Sequence, residues 1–143
     1  MDIVEAITLK QINQCYPLMN ILRPKLVESE FSDQIGRQNK QGYHLIALRD
    51  NGNPVSLLGY RLVENLILGR FFYVDDLVTK PGQKQQGHAS KLLNWAVDLA
   101  EQNNCTAVQL DSGFANTDAH RLYLKHGFTL SAHHFRKPIS FAG

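Results

Sequence analysis

The stretch of the chain best suited to chemistry is KQQGHA at Lys84–Ala89. It joins a polar turn to an amphipathic segment, so it lies where a helix is expected to begin. The first N–H groups of a helix have no intrahelical partners and carry the positive end of the helix dipole, so an anion bound there satisfies both. Gly87 and Ala89 have little or no side chain and let a bulky pyrophosphate approach the backbone. The stretch therefore predicts a phosphate-binding loop.

A second motif follows at Asn116–Phe128, which reads NTDAHRLYLKHGF. It places an Asn and a Tyr on one short predicted helix that ends at Gly-Phe. Together the two motifs resemble those of the GNAT superfamily of acetyl-CoA-dependent N-acyltransferases. The loop pattern of that family is Arg or Gln, two residues, Gly, one residue, then Gly or Ala. Two independent motifs in the right order are a more specific match than either one alone.

The resemblance implies that acetyl-CoA is the acyl donor and that the loop holds its pyrophosphate. Lys84 stands where the family usually has Arg or Gln, and Gln85 stands where it often has Gly. Lysine neutralises a phosphate as a point charge without the fork of a guanidinium, so this departure bears on affinity. The side chain of His88 is expected to point away from the phosphates. The residues expected to bind the donor are Leu77, Val78, Thr79, Lys84, Gln85, Gln86, Gly87, His88, Ala89, Ser90 and Asn116.

The strand before the loop contains two adjacent acids, Asp75 and Asp76. Alternation places them on opposite faces unless a bulge breaks the register. The family carries such a bulge here, which implies that freed backbone groups at Leu77–Thr79 pair with the pantetheine arm and polarise the acetyl carbonyl. An unpartnered carboxylate is costly to bury. Either one acid is solvated at a strand end, or one serves in acceptor binding or proton removal.

The resemblance also implies the reaction, in which an amine attacks the thioester carbonyl and CoA leaves as a thiolate. The enzyme must position the reactants, stabilise the oxyanion and protonate the sulfur. Tyr123 occupies the position of the family's Tyr and is the candidate acid. The transfer of a proton from a phenol with a pKa of about 10 to the thiolate of a thiol with a pKa of about 8.5 is uphill by about 2 kcal/mol. The alternative is that Tyr123 only packs beneath the closing strands.

The base is less narrowly defined. An alkylamine with a pKa of about 10 is almost fully protonated at neutral pH, so its proton must be removed directly or through water. Asp75 is the chosen candidate, with Tyr73, Asp76 and His120 as alternatives. Several family members use a water chain without a dedicated residue. Asn116, matched to the family's Asn, would hydrogen-bond the pantetheine arm or help to carry the proton.

Hydrophobic periodicity predicts the elements that position these residues. Helices are predicted over 10–22, from Pro24 to about Asn39, over 87–103 and over 116–126, and Pro17 must kink or restart the first of them. Strands are predicted at 3–7, 43–48, 55–63, 66–78, 106–110, 128–131 and 133–139. The Asn51-Gly52 step is a hairpin signal. This order predicts an α+β fold, and the family implies a mixed central sheet with a bulged, splayed strand and helices on both faces.

Composition limits the classes of function. A chain of 143 residues with 43% hydrophobic and 20% charged residues predicts one globular domain spanning residues 1–143. A formal charge of +2 without a Lys/Arg cluster argues against nucleic acid. No stretch approaches the roughly 20 apolar residues of a membrane span. The two cysteines and six histidines lack metal-ligand spacing, so no metal is expected. A reducing cytoplasm is the default location.

The interpretation is an N-acetyltransferase that moves an acetyl group from acetyl-CoA to a primary amine in a ternary complex. The acceptor is a small molecule or a peptide, and polyamines, amino acids, antibiotics, peptide N-termini and protein lysines all remain open. In the family a pair of N-terminal helices forms one wall of the acceptor site, where Glu28, Glu30 and Asp33 could attract a cation. The alternative is a non-catalytic acyl-CoA-binding sensor or interaction module. Paired subunits are common in the family, so a homodimer is one expected state.

Overall fold

The computed structural model describes residues 1–140. The chain divides into two compact units, Met1–Leu110 and the residues from Asp111 onward. The first unit holds the sheet and three of the described helices, and the second holds the fourth. The prediction of one domain over residues 1–143 stays a prediction.

The described elements follow the predicted order, with boundaries that differ by a few residues. The strands of the first unit form one sheet in the order β1-β2-β3-β4-β5, antiparallel except for the parallel pair β4 and β5. This mixed sheet confirms the predicted α+β class. The elements are β1 (Asp2–Glu5), α1 (Leu9–Leu22), α2 (Glu28–Asn39), β2 (Tyr43–Asp50), β3 (Asn53–Asn65), β4 (Gly69–Thr79), α3 (His88–Gln102), β5 (Val108–Leu110) and, in the second unit, α4 (Thr117–Lys125).

Local sequence signals explain where several elements begin and turn. Thr8 and Gln11 form a reciprocal capping box at the start of α1, and the helix continues through Pro17. Asn51 and Gly52 both have positive φ angles, as the predicted hairpin turn between β2 and β3 requires. These contacts are local, so they could be predicted from neighbouring residues.

Alternation along β2 divides the core into two layers. Tyr43, Leu45 and Ala47 pack with the buried side chains of α1 and α2 on one face of the sheet. Ile46 and Leu48 pack with α3 on the other face. Helices therefore cover both faces of the sheet, as predicted, and the two N-terminal helices share one face.

The predicted bulge in β4 is confirmed. Gly59 pairs with Asp76 and the next residue, Tyr60, pairs with Val74, so Asp75 is the extra residue on β4. The parallel pairing with β5 covers only Phe72–Val74. Within residues 1–140, no strand pairs with the last residues of β4 on the side away from β3.

The predicted closing strands are not present in the structure. Residues 128–140 form no strand, and those after residue 128 are exposed. Alternating polar and apolar residues favour a strand only where a neighbouring edge supplies hydrogen bonds, and none pairs with these described residues. The predicted C-terminal cap of α4 is confirmed, because Gly127 has a φ of 84° and the N–H of Phe128 bonds the carbonyl of Tyr123 at 3.0 Å.

Candidate active site

The predicted phosphate loop leads directly into α3. Gly87 is the N-cap of this helix with a φ of 80°, and no described side chain caps the first turn. The first bond of the helix runs from the N–H of Lys91 to the carbonyl of Gly87 at 3.1 Å. A glycine that supplies a positive φ and an uncapped helix start form a suitable anion-binding geometry.

His88 holds this loop from inside. Its side chain is 1% exposed, and its Nε2 lies 3.1 Å from Oε1 of Gln83. Gln83 is also held by backbone bonds, since its N–H donates to the carbonyl of Lys80 and its carbonyl accepts from the N–H of Gln86. Nδ1 of His88 is buried without a partner among the described residues. The ring therefore ties the middle of the loop to the start of α3 and lies in the protein interior.

The end of β4 has its main chain available for a ligand, because its side chains already make contacts within the protein. Leu77 and Val78 pack into opposite core layers. The hydroxyl of Thr79 lies 2.9 Å from that of Ser56, which also donates to the carbonyl of Val78 at 2.9 Å. Contacts of this segment with a ligand would therefore be made mainly by its main chain.

A cavity of about 470 Å³ lies in the first unit, between α1 and α2 and the face of the sheet that they cover. We call it the bulge pocket, because both carboxylates of the β4 bulge line it. Its wall combines apolar side chains, three glutamines and four charged residues. The lining residues are Met19, Arg23, Leu26, Phe31, Gln34, Ile35, Gln38, Gln41, Tyr43, Arg61, Asp75 and Asp76.

Two arginines pair with the two carboxylates of the bulge pocket. Arg61 donates to both oxygens of Asp75, at 2.9 and 2.7 Å. Arg23 donates to Oδ1 of Asp76 at 3.0 Å and to the backbone carbonyl of Asp75 at 2.8 Å. The hydroxyl of Tyr43 donates to the other oxygen of Asp76 at 2.7 Å. Each carboxylate oxygen therefore accepts a hydrogen bond, which offsets the cost of burying the charge.

Tyr43 reaches Asp76 because Gly59 leaves room for it. Gly59 pairs with Leu45 on β2 and with Asp76 on β4. It therefore lies on β3, the strand that the Tyr43 side chain crosses to reach Asp76. A Cβ atom at Gly59 would collide with the hydroxyl of Tyr43. Burial, together with the neighbouring charge of Asp76, raises the pKa of Tyr43 well above its ordinary value. The phenol therefore stays protonated and remains a hydrogen-bond donor.

The other predicted site residues lie on α4 in the second unit. Asn116 is the N-cap of α4, and its carbonyl accepts from the N–H of His120 at 3.1 Å. The ring of Tyr123 lies 5.8 Å from that of Phe128. Burial raises the pKa of Tyr123, so this phenol also keeps its proton at neutral pH. The roles assigned to these residues stay predictions.

Most residues of the bulge pocket were not predicted from the sequence. Glu28, Glu30 and Asp33 are exposed and do not line it. Two signals were available. A glycine inside an apolar strand, as at Gly59, often marks a close approach by another group. Glutamines at helical spacing, running from α2 into the turn that follows it, indicate a polar wall, and they are Gln34, Gln38 and Gln41.

Two negative observations hold for residues 1–140. No group of three His, Cys, Asp or Glu side chains is arranged to hold a metal ion. The helices described there are all too short or too polar to cross a membrane.

Comparison with known proteins identifies relatives that match most of this chain. A model of the Acetyltransferase (GNAT) family matches residues 8–128. The uncharacterized N-acetyltransferase YhdJ of Bacillus subtilis (strain 168) is 34% identical over 128 residues, which are 88% of this chain and 90% of that protein. The aminoalkylphosphonate N-acetyltransferase of Salmonella typhimurium (strain LT2) is 30% identical over 98 residues, which are 68% of this chain and 63% of that protein.

A solved structure extends the similarity to the fold. The structure of AAC(6')-Iy in complex with the bisubstrate analog CoA-S-monomethyl-acetylneamine has a TM-score of 0.80. The match covers 96% of this chain and 98% of that chain at 14% identity. At this level of identity the likeness concerns the fold.

Proposed function

Because the chain belongs to the Acetyltransferase (GNAT) family, we propose that it moves an acetyl group from acetyl-CoA to a primary amine by direct attack in a ternary complex. Family membership makes the protein an acetyl-CoA-dependent acyltransferase. The acceptor and the order of the chemical steps are the parts that we propose. The name of the Salmonella relative indicates an amine substrate for that protein, which agrees with N-acetylation here.

The observation that carries this proposal is the bulge at Asp75. It turns both carboxylates of β4 into the bulge pocket, while the following residues, 77–79, present a main chain that lacks a strand partner on one side among the described residues. Strand β4 thereby places the bulge pocket next to a segment that can bind the acetylated pantetheine arm. Such proximity converts a bimolecular attack into one between bound reactants.

On the donor side, Gly87 and the first turn of α3 supply N–H groups for the pyrophosphate, and Lys84 supplies a positive charge. The neighbouring loop residues Gln85, Gln86, Ala89 and Ser90 complete the proposed contacts. His88 acts from the interior by holding the loop. The amide of Asn116 is proposed to bind the pantetheine arm.

In the proposed reaction the nitrogen of the neutral amine bonds to the carbonyl carbon, and the carbon–sulfur bond then breaks. The main-chain N–H groups of residues 77–79 would stabilise the oxyanion. The amine loses its proton to Asp75 or to water, and the sulfur gains one from Tyr123. Both oxygens of Asp75 already accept bonds from Arg61. Proton transfer to Asp75 would therefore weaken this ion pair.

The raised pKa of Tyr123 adds to the cost of this last transfer, because each unit of difference between donor and acceptor costs about 1.4 kcal/mol. A hydrogen bond that reaches the sulfur as charge develops lowers the barrier without complete transfer. The hydroxyl of Tyr123 is therefore expected to matter for turnover more than for donor binding.

Replacing Tyr123 tests this assignment. We expect Tyr123→Phe to lower kcat roughly tenfold to a hundredfold, with little change in acetyl-CoA affinity measured by calorimetry. The matched control is Tyr16→Phe, which removes a phenol that donates to the carbonyl of Leu26 at 3.1 Å. Thiol release from acetyl-CoA across a panel of amines provides the rates. Unchanged turnover in Tyr123→Phe would remove this residue from the mechanism, and donor binding without turnover on any amine would contradict the proposed function.

A further inference from the structure

We propose that the acceptor carries an anionic group beside its primary amine and that Arg23 and Arg61 bind this group. The inference rests on the proposed function, because it names the class of amine that the bulge pocket takes. This anionic group is a carboxylate, phosphonate or phosphate that a short linker joins to the amine.

The bulge pocket is balanced in charge. Its lining contains two arginines and two aspartates, so it is formally neutral. All four carboxylate oxygens already accept hydrogen bonds, three from the arginines and one from Tyr43. A simple alkylammonium or a polyamine would meet two neutralised carboxylates and two guanidinium groups. Such a cation would gain little from this lining.

The arginines of the bulge pocket are more exposed to solvent than its aspartates. The side chains of Arg23 and Arg61 are 51% and 41% exposed, whereas those of Asp76 and Asp75 are 13% and 19% exposed. An entering molecule therefore meets the guanidinium groups before the carboxylates. This order favours an anion at the mouth of the pocket.

Both arginines of the bulge pocket have donors that no described residue uses. Each of the two arginines uses Nε and Nη2 in its bonds to the bulge, and Nη1 of neither has a hydrogen-bond partner within residues 1–140. Guanidinium N–H groups bond planar oxyanions in a fixed geometry. An anion placed between Arg23 and Arg61 would accept these donors while the existing pairs stay in place.

The size of the pocket agrees with a small acceptor. Its volume of about 470 Å³ lies within the usual range for small-molecule sites. The apolar side chains of Met19, Leu26, Phe31 and Ile35 would contact a short aliphatic linker. An acceptor of this kind would contact both the guanidinium groups and the apolar wall.

Matched acceptors test the proposal without any mutation. Thiol release is measured with β-alanine against β-alaninamide and with phosphoethanolamine against ethanolamine, and 1,3-diaminopropane serves as the dication. We expect kcat/KM to be about tenfold to a hundredfold higher for the anionic member of each pair, the size of a charge-assisted hydrogen bond. Equal or faster reaction of the neutral amines or the diamine would overturn the proposal.

Variants locate the effect. Arg23→Gln and Arg61→Gln are each expected to remove most of the preference for the anionic member while changing the rate with the neutral member less. The matched control is Arg49→Gln, because Arg49 makes the same two-bond pair with Asp2, at 3.0 and 2.7 Å, and does not line the pocket. If both members of a pair slow equally, the arginines are structural and the proposal is wrong. Thermal melting identifies a variant that fails to fold, and the other variant then carries the test.

Binding separates this inference from the proposed function. Calorimetry with CoA present compares phosphoethanolamine with ethanolamine on the full chain. Tighter binding of the anionic compound, lost in Arg23→Gln, supports the acceptor class even if no thiol is released, and in that case the proposed function alone fails. Equal binding of the two compounds overturns the acceptor class whether or not turnover occurs.

Discussion

The phosphate loop and the bulge pocket are built in opposite ways. The loop is exposed from residue 84 to residue 87 and depends on a positive φ at Gly87 and on an uncapped helix start. The bulge pocket depends on charged side chains brought together from two strands and the end of a helix, with each carboxylate oxygen paired. Main-chain N–H groups tolerate changes in neighbouring side chains, whereas paired charges do not. The loop should therefore tolerate side-chain changes that the bulge pocket does not.

The largest expected effect on stability and on acceptor kinetics comes from filling the space at Gly59 that the Tyr43 side chain occupies on its way to Asp76. Gly59→Ala places a methyl group against the hydroxyl of Tyr43, so that phenol must move and Asp76 loses a donor. We expect a loss of about 1–3 kcal/mol in the free energy of unfolding and a fall in kcat/KM for the amine of more than tenfold. Urea denaturation and steady-state kinetics measure the two effects.

The control for this variant is Gly36→Ala. A Cβ atom at Gly36, on α2, meets nothing within 4 Å. Alanine in a helix is favoured over glycine by about 0.5–1 kcal/mol, so this variant should be slightly more stable than the wild type. Normal acceptor kinetics in Gly59→Ala would show that the contact between Tyr43 and Asp76 is not needed for the pocket.

A smaller effect, confined to the donor, is expected from Gly87→Ala. A side chain at a φ of 80° costs roughly 1–2 kcal/mol, and the strained loop should bind acetyl-CoA several-fold more weakly. The KM for the amine at saturating donor should stay within about twofold, because the bulge pocket is unaffected. Gly113→Ala, at a glycine without positive φ, is the control. A change in the KM for the amine equal to that for acetyl-CoA would contradict the separation of the two regions.

The smallest effect concerns the core layer beneath the bulge pocket. Burial raises the pKa of Cys15 from 9.0 to about 12, so the folded protein keeps a proton that the unfolded chain loses. The stabilising contribution is complete below pH 9 and is lost as the pH rises from 9 toward 12, with a slope of up to about 1.4 kcal/mol per pH unit. Between pH 9 and 10, Cys15→Ala should flatten this slope, as measured by urea denaturation, and Cys105→Ala is the control. An unchanged slope in Cys15→Ala would assign the alkaline loss to other groups.

The parts of the fold that were predicted correctly depend on neighbouring residues. The turn at Asn51 and Gly52, the cap at Gly127 and the helical stripe of α3 each follow from local conformational preference and periodicity. The closing strands after residue 127 were predicted from alternation and are absent from residues 128–140, because a strand also needs an edge to pair with. Local preference alone does not provide that partner.

For the site, the two motifs and the bulged strand were predictable, and the ion pairs were not. Asp75 was selected from its neighbourhood in the chain, but its partner, Arg61, lies on another strand. Arg23, at the end of α1, was not recognised as a pocket residue. Such pairs depend on how the sheet and helices pack, because their members have no fixed spacing in the sequence.

By itself, the sequence determined the family, the order of the described elements and the helix start at Gly87, for which anion binding stays a prediction. These features rest on residues close together in the chain, whose conformations are set by local sterics, helix capping and hydrophobic periodicity. Only the tertiary structure decided that Asp75 and Asp76 share one pocket and that each is neutralised by a different arginine. A one-residue bulge changes the side of the sheet to which a side chain points, and that change depends on the pairing of β4 with β3.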